Sequence, residues 1–407
     1  MASAPAWAED AKKRAEGLLT ELPALTGQEE EWRFTPPTDV GLEGASAEGG
    51  TGDGNPPSAP EGRRAWLRFV DGAMDASQLA ESADGVIIGE LGAALVEHED
   101  LVRDRLYSLV GFEDKPGALN AARWETGLFV YVPDGVTVEL PIEALSWATG
   151  KTGQLFDRTL VVAGRGSHVT VIDRYGSPDI SGRVISSSVV EVFAGEDADV
   201  EHVSVIDWGS GARHHAVLRA QVGRDARARS VVVTLGGDVV RVEPTMVVAG
   251  PGADARALGL YFADGNQHFE HRVISRHEAP QAYSNLLYKG AIKDTAHTIF
   301  FGNLIVPPGA PGTDAYQTNR NLVLNDGARA ETIPFLEIET AEVKCSHAGA
   351  VSRVDDEHLF YLESRGVPRD QAKQLIVEGF CQEVLDEVGL DELRDELSAA
   401  IAKKVRR

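Results

Sequence analysis

The sequence predicts a mainly β protein whose central β region is flanked by helical segments. From about residue 128 to 351, short runs rich in Val, Ile, Thr and aromatic residues alternate with turns that contain Gly, Asp and Pro. The turns recur at an irregular interval of roughly 26–32 residues, and no helical pattern separates the strands. This arrangement is typical of a coiled β-solenoid. Strands at intervals of about 8–12 residues also build β-sandwiches, so the pattern alone leaves both architectures open.

The N-terminal part of the chain contains a helical segment and a predicted linker. Residues 1–40 form the helical segment, in which alanines and leucines at helical spacing predict a helix over 8–22. Residues 41–62 are rich in Gly, Pro, Ser and acidic residues. They bury too little apolar surface to offset the entropy lost on ordering, so we expect a flexible linker.

Further helices are predicted on both sides of the β region. Residues 63–127 form an N-terminal α/β region, in which 94–110 and 118–127 each predict one helix after short strands. Residues 128–351 form the β core. Residues 352–407 form a C-terminal helical region, whose longer helix carries an apolar stripe that can pack against the last coils or against another protein.

Composition limits the classes of function. The chain has 407 residues, a formal net charge of −24 and two cysteines. Nucleic acid and anionic membranes would repel so acidic a protein, so we expect neither as a partner. Two cysteines cannot form a disulfide framework in a chain of this length and suit a reducing compartment. The N-terminus lacks the apolar core of a signal peptide, and no run approaches the ~20 apolar residues of a membrane span. We therefore expect a cytoplasmic protein.

Cys345 and His347 form the candidate metal site. Residues two apart on a β-strand face the same side, so the thiol and the imidazole project together if this segment is extended. Both groups suit iron, zinc and cuprous copper, and cysteine is the usual ligand of iron–sulfur clusters. Two ligands do not complete a tetrahedral site, so any metal must take further ligands from another chain or a distant loop. A structural cysteine beside a hydrogen-bonded histidine is the alternative.

Three segments carry a resemblance to a known family. They are GLFVYVPDGVTVELPI at 127–142, QTNRNLVLNDGARAETIPFLEIETAEVKCSH at 317–347 and LFYLESRGV at 359–367. These segments resemble the SufB/SufD family, the scaffold subunits of the SUF machinery for iron–sulfur cluster assembly, and the resemblance extends over roughly Phe69 to Phe380. The chain is similar to the SufD type rather than SufB, because it is short and has no cysteine before Cys345.

The resemblance implies a fold, partners and a role. The fold would be a right-handed parallel β-helix, and the chain a non-enzymatic scaffold without a stably bound cofactor of its own. Cys345 and His347 would face a SufB-like subunit and share a transient iron or iron–sulfur cluster with it. The C-terminal region 352–407 would dock a SufC-like ABC-type ATPase, which would be the component that uses ATP. Residues 348–350, Ala-Gly-Ala, depart from the Gly-Ala-Thr-like turn that is usual in the family.

Other cysteine and histidine residues have structural interpretations. Cys381 falls on the apolar stripe of the predicted C-terminal helix and is expected in the core. His268 and His271 are three residues apart, so on a strand they face opposite sides and do not converge on one metal. All three histidines of this segment, His268, His271 and His277, are expected to be solvent-facing or hydrogen-bonded. Adjacent histidines His214 and His215 likewise face opposite sides.

Two polar patterns are also expected to be structural. Gly150-Lys151-Thr152 imitates the end of a phosphate-binding loop, but position 145 is Leu where the motif requires Gly, so we expect no nucleotide binding. Gln317, Asn319 and Asn321 alternate along a strand. Amide side chains that stack between coils can satisfy one another, which favours a structural ladder over a binding role.

Two other functions stay open at this stage. A homodimeric metal protein would complete one four-ligand site from two copies of Cys345 and His347, because a two-fold axis duplicates each ligand. A polysaccharide-active β-helix enzyme would need paired carboxylates along a groove, and the sequence shows no convincing motif of that kind.

Overall fold

Two long parallel β-sheets face each other, and the chain passes from one to the other in every coil. The computed structural model describes residues 4–42, 47–80 and 84–406. The strands are β1 (Ala65–Val70), β2 (Ala73–Leu79), β3 (Ile87–Glu90), β4 (Leu128–Val132), β5 (Ile142–Trp147), β6 (Gln154–Ala163), β7 (His168–Gly176), β8 (Val184–Ala194), β9 (Asp199–Asp207), β10 (Ala212–Val222), β11 (Arg227–Thr234), β12 (Val239–Val248), β13 (Asp254–Ala263), β14 (His268–His277), β15 (Tyr283–Ile292), β16 (His297–Val306), β17 (Asp314–Val323), β18 (Arg329–Ile338) and β19 (Lys344–Arg353).

Odd-numbered and even-numbered strands separate into the two sheets. The first sheet has the order β19-β17-β15-β13-β11-β9-β7-β5-β1-β2, and the second has the order β18-β16-β14-β12-β10-β8-β6-β4-β3. Only the pairs β1–β2 and β3–β4, at the N-terminal end, are antiparallel among these strands. Between β4 and β19 the parallel register gives a repeat of 26–32 residues, from Arg213 paired with Val239 to His297 paired with Arg329. The predicted parallel β-helix core is confirmed, and the sandwich is excluded.

The turns show why Gly and Asp punctuate the sequence. Asp197, Asp225 and Asp294 adopt positive φ angles of 57°, 55° and 59° at coil corners, and glycines such as Gly166 and Gly265 do so at 62° and 60°. Only glycine, and to a lesser degree Asp and Asn, enters this left-handed region without a large steric cost. Gly and Asp in the sequence therefore indicate where the chain turns from one strand to the next.

The main core lies between the two sheets. Alternate residues of each strand point inward, and they are mostly Val, Ala, Leu, Ile and aromatic residues that are almost fully buried. A second apolar cluster lies on the outer face of the first sheet, where residues such as Val231, Leu258 and Leu260 pack against Val377 and Leu397. This second cluster attaches the C-terminal helices to the solenoid.

The described helices lie at the two termini of the chain and in the N-terminal α/β region. They are α1 (Ala6–Glu21), α2 (Leu91–Glu97), α3 (Glu99–Val102), α4 (Lys115–Arg123), α5 (Asp356–Ser364), α6 (Arg369–Leu385) and α7 (Asp391–Arg406). The helix predicted over 8–22 is confirmed as α1. The single helix predicted over 94–110 is wrong, because the chain breaks at His98, with φ −136° and ψ 40°, and again at Tyr107, with φ 70°.

The predicted flexible linker needs a correction where it is described. Gly49 and Gly52 form isolated antiparallel bridges with Arg183 and Ile180 of the solenoid. The Gly50 amide also donates to the carbonyl of Gly150 at 2.7 Å. Residues 49–52 are therefore attached to the coils by backbone hydrogen bonds, which composition cannot reveal because such bonds use no side chains. Part of the predicted linker, residues 43–46, lies outside the described residues.

The C-terminal end of the solenoid is the feature that positions the candidate site. Strands β18 and β19 are the last strands of their sheets, and most of their residues are exposed or only half-buried. The preceding strands β16 and β17 are mostly buried on their inward faces. Within the described part of the chain, no later coil covers β18 and β19, so we call this surface the open end.

No helix in the described ranges is both long enough and apolar enough to cross a membrane.

Candidate metal centre

Strand β19 places Cys345 and His347 at the open end. In the parallel register with β17, Cys345 pairs with Ala315 and His347 with Gln317. Ala315 and Gln317 are both buried on the inward face of β17. Because paired residues of adjacent strands point to the same side, Cys345 and His347 continue the interior of the solenoid into its last, uncovered coil.

The pair is accessible rather than enclosed. Cys345 is half-buried and packs against the edge of the main core, whereas His347 is exposed. Both side chains lie on the edge strand β19, which pairs with β17 on one side and has no described strand on the other. An approaching molecule can therefore reach both side chains from the open end.

The environment of Cys345 favours the thiol over the thiolate. Burial raises the pKa of the Cys345 thiol, a hydrogen bond from the backbone of Ala315 opposes this, and the nearby carboxylate of Asp314 raises the pKa further. A metal ion deprotonates a thiol that it coordinates. The thiolate of Cys345 would therefore form together with metal binding, or beside a cation supplied by a partner.

The described residues do not complete a metal site by themselves. They contain no group of three or more His, Cys, Asp and Glu side chains that could hold a metal ion. A thiolate and an imidazole are suitable donors for iron or for an iron–sulfur cluster. An ion that coordinates both Cys345 and His347 at its usual coordination number would therefore take its other ligands from elsewhere.

Beneath β19, the inward face of β17 is polar from Gln317, which lies under His347, to Asn321. Asn319 donates from Nδ2 to the Tyr261 hydroxyl at 3.0 Å, that hydroxyl donates to Oδ1 of Asn321 at 2.6 Å, and Asn321 donates to Oδ1 of Asn319 at 2.7 Å. Both asparagines thus have the structural role expected of the amide ladder. The amide of Gln317 differs, because neither its Nε2 nor its Oε1 has a hydrogen-bond partner among the described residues.

The histidines near residue 270 are separated as predicted. His268 lies on the outer face and is hydrogen-bonded through Nε2 to the hydroxyl of Thr35 at 2.8 Å. His271 lies in the interior, hydrogen-bonded to Thr234 at 2.9 Å and stacked on Tyr261 with ring centroids 4.7 Å apart. His277 is hydrogen-bonded to Ser284, so these three side chains do not converge.

His214 and His215 also face opposite sides of their strand. His214 is hydrogen-bonded to Ser186 at 3.0 Å inside the solenoid, and His215 to Glu243 at 2.9 Å. The structure assigns both of them structural contacts.

The remaining sequence candidates are structural as well. Cys381 is buried on α6 within the second apolar cluster, where burial raises the pKa of its thiol to about 12. Gly150-Lys151-Thr152 is followed by strand β6 rather than by a helix, and the carbonyl of Gly150 accepts from Gly50. A phosphate-binding loop requires a helix at that point, so this segment has a structural role.

The C-terminal helices expose apolar side chains, and the sequence does not predict those on α5. Phe360 and Tyr361 on α5 are 72% and 56% exposed, and Leu375 on α6 is 51% exposed. Large apolar side chains grouped on one region of a surface mark interaction sites. The available signal was the helical spacing of α5, which turns Leu359 toward the protein and leaves Phe360 and Tyr361 outside.

The fold and the open end together define the class of protein: it is a parallel β-solenoid that presents a thiol and an imidazole on its terminal strand. Comparison with known proteins specifies the class further. The family model described as "SUF system FeS cluster assembly, SufBD core domain" matches residues 146–380. The chain belongs to this SufBD family of the SUF system for iron–sulfur cluster assembly, which confirms the resemblance.

Relatives in several bacteria are similar to this chain. An iron–sulfur cluster assembly SufBD family protein of Mycobacterium leprae is 34% identical over 384 residues, which cover 92% of this chain and 89% of that protein. One from Mycobacterium tuberculosis is 43% identical over 244 residues, which cover 58% of this chain and 60% of that protein. One from Staphylococcus epidermidis is 28% identical over 339 residues, which cover 82% of this chain and 73% of that protein. The family is named as an assembly component, which is consistent with a scaffold.

Proposed function

We propose that this protein is a SufD-like scaffold subunit that pairs with a SufB-like subunit through its open end. The observation that carries the proposal is the position of Cys345 and His347 on an uncovered terminal strand. Two soft-metal ligands on the edge of a coil form half of a coordination sphere, and a partner that docks there would supply the other half. The absence of a cysteine before Cys345 favours the SufD type over SufB.

The edge strands support the docking of a second solenoid. No strand among the described residues lies beyond β18 or β19, so the outer edges of these strands are available to pair with a strand from another chain. Phe335 and Val351 are exposed apolar side chains on the last strands, β18 and β19. A partner solenoid would cover them and extend both sheets across the junction.

In this proposal no cofactor is held stably by the chain alone. Iron or a nascent cluster is cargo at the interface, coordinated transiently by Cys345, His347 and groups of the partner. ATP is used by a SufC-like ATPase, which docks on the C-terminal helical region. The exposed Phe360 and Tyr361 on α5 and Leu375 on α6 support this second docking site. Helix α6 packs on the first sheet through other residues, such as Val377 and Cys381, which leaves Leu375 free for a partner.

Co-purification tests the proposal. The tagged chain is isolated anaerobically from its native cells, and bound proteins are identified by mass spectrometry. We expect a SufB-like chain and an ABC-type ATPase in stoichiometric amounts. Phe335→Asp should release the SufB-like chain and retain the ATPase, whereas Phe360→Asp should do the reverse. If both variants retain both proteins, the proposed assignment of the two surfaces is wrong.

The homodimeric alternative is tested by the same material. The purified chain alone is analysed for mass and metal content. One metal per dimer, lost together with the dimer in Cys345→Ala, would favour a homodimeric site. A metal-free chain that binds the SufB-like protein favours the scaffold.

A further inference from the structure

A groove at the N-terminal end of the molecule is distant in sequence from Cys345 and has no role in the proposed scaffold function. It lies between α1 and α2, has a volume of about 500 Å³ and is open to solvent. Its walls include the small side chains of Ala8 and Ala93 and the exposed Val96, and its base includes Tyr107 and Trp124. We call it the α1–α2 groove.

An unpaired carboxylate lines this groove. Glu90 forms neither a hydrogen bond nor an ion pair through its side chain with any described residue, and it does not cap α2. Burial alone raises the pKa of Glu90. A half-buried carboxylate that has lost part of its hydration without gaining a partner is less stable than a fully solvated one, and a cationic ligand would offset that cost.

The charges around Glu90 favour a positively charged ligand. Glu9, Glu97 and Glu125 also line the groove, and all three are exposed. The cation among the lining residues is Lys12, whose ammonium donates to the carbonyl of Trp124 at 3.4 Å. The groove therefore combines apolar walls with an excess of negative charge, which excludes anionic ligands and complements a basic group with an apolar flank.

The base of the groove is rigid. Tyr107 has a left-handed backbone with φ 70°. Its amide donates to Glu191 at 3.1 Å, its hydroxyl accepts from the Trp124 indole at 2.8 Å, and the guanidinium of Arg158 lies 4.5 Å from its ring centre. Arg158 and Glu191 are a fully buried ion pair. A surface fixed in this way loses little conformational entropy when a ligand binds.

We propose that the α1–α2 groove binds a short amphipathic segment of a partner protein, whose lysine or arginine pairs with Glu90 while its apolar residues pack between Ala8, Ala93 and Val96. Placing an apolar face in a groove between helices is a recurring mode of peptide recognition. A small polyamine would satisfy the carboxylates but would leave the apolar walls uncovered, so the combination favours a peptide. Docking here would leave the open end free.

Selection from a displayed peptide library tests this proposal. The full-length chain is immobilised and exposed to peptides of about 12 residues, a length near which isolated helices begin to form. We expect recovered peptides to contain a lysine or arginine flanked by apolar residues. Binding of a recovered peptide should weaken about tenfold in Glu90→Gln, the effect of losing one charge-assisted contact, and should be lost in Ala93→Trp, which fills the groove.

Controls make the outcome decisive. Glu61→Gln removes the same charge from a residue that does not line the groove and should leave peptide binding unchanged. Equal binding to the wild type and Glu90→Gln, or recovery of peptides without a basic residue, would overturn the proposal. The same selection is run on Ala93→Trp. If the wild type captures no peptide that this variant does not also capture, the proposal is overturned as well. Spermidine that binds as tightly as the peptide and displaces it would show that the groove is a site for small cations instead.

Discussion

Gln317 pairs in register with His347, and its amide is buried without a hydrogen-bond partner among the described residues. The imidazole above it is exposed at the open end. The isolated chain therefore carries an uncompensated polar group in its last complete coil, directly beside the candidate metal ligand. A partner or bound water that reaches this coil could satisfy it.

Replacing Gln317 should stabilise the chain, whereas replacing its neighbour should not. Gln317→Leu removes an unpaired buried amide, so the free energy of unfolding should rise by about 1 kcal/mol. Asn319→Leu breaks bonds to Tyr261 and Asn321 and should lower it by about 1–3 kcal/mol. Urea denaturation of both variants measures the difference. A loss of stability in Gln317→Leu as large as that in Asn319→Leu would show that the Gln317 amide is paired in solution.

Cys345→Ala should separate cluster assembly from folding. The side chain is half-buried on an edge strand, so its loss should cost less than about 1 kcal/mol of stability. In our proposal it should lower the cluster yield in anaerobic reconstitution with the partner subunits, measured by iron and sulfide content. Cys381→Ala is the matched control, because that thiol is buried in the helix–sheet cluster and should change stability but not yield. An unchanged yield in Cys345→Ala would remove this residue from the mechanism.

Lys404 should anchor the last helix. Its ammonium is hydrogen-bonded to the carbonyls of Leu235 and, at 2.9 Å, of Phe262, and it lies 2.9 Å from a carboxylate oxygen of Asp264. Lys404→Met leaves these acceptors without their donor, and we expect a loss of about 2–4 kcal/mol in the free energy of unfolding. The exposed neighbour provides the comparison, since Lys403→Met should change stability by less than about 0.5 kcal/mol. Similar values for the two variants in thermal denaturation would contradict the anchoring role.

Buried histidines should make the protein sensitive to acid. Burial lowers the pKa of His271 to about 3, below its ordinary value of 6.5. Below pH 6.5 the unfolded chain therefore binds a proton that the folded chain excludes, so stability is fully present above that pH and falls as the pH is lowered toward 3. His271→Phe should reduce the slope of stability against pH by about 1.4 kcal/mol per pH unit between roughly pH 6 and 4.

Exposed histidine provides the control for that measurement. His358 lies on α5 with its side chain 73% exposed, so His358→Gln should leave the slope unchanged. Denaturation curves recorded at several pH values give both slopes. Identical slopes for the wild type and His271→Phe would mean that His271 is protonated equally in both states.

The sequence predicts the architecture well because two independent patterns mark each repeat, the alternation of residues along the strands and the turn residues at the corners. Most inward residues of the strands are apolar and recur at every second position, and most corners with a positive φ carry Gly or Asp, as at Asp225, with Gln281 as an exception. The family segments at 127–142 and 317–347 then distinguish a solenoid from a sandwich, which alternation alone cannot do because both have strands with one inward face.

The details that the sequence does not predict depend on contacts between distant residues. Tyr107 breaks the helix expected over 94–110 because Glu191 and Trp124 hold it in a left-handed conformation, and no local pattern marks that. The backbone bridges of Gly49 and Gly52 follow from the shape of the coil corners. Lys404 belongs to a basic C-terminus that suits the helix dipole, but only the structure shows that its ammonium is buried.

The candidate site was located by residue type and spacing, and the structure adds its accessibility. Cys345 and His347 were expected on one face of a strand, and the register with Ala315 and Gln317 places that face over the interior of the last coil. The alternation of residues does not show that β19 is an edge strand, because a central strand has the same period. Whether β19 lies at an edge depends on long-range pairing, that is, on which coil is the last.

The unequal ends of the solenoid limit how such molecules can assemble. One end finishes in the reversed strands β2 and β3, where the register of β1 with β2 also slips between Arg68 and Phe69, and the other finishes in the regular β18 and β19. Growth from head to tail would have to join two surfaces of different geometry. When two open ends bind each other, neither is left to bind a third molecule. Assembly through the open end therefore stops at a pair and does not continue into a filament.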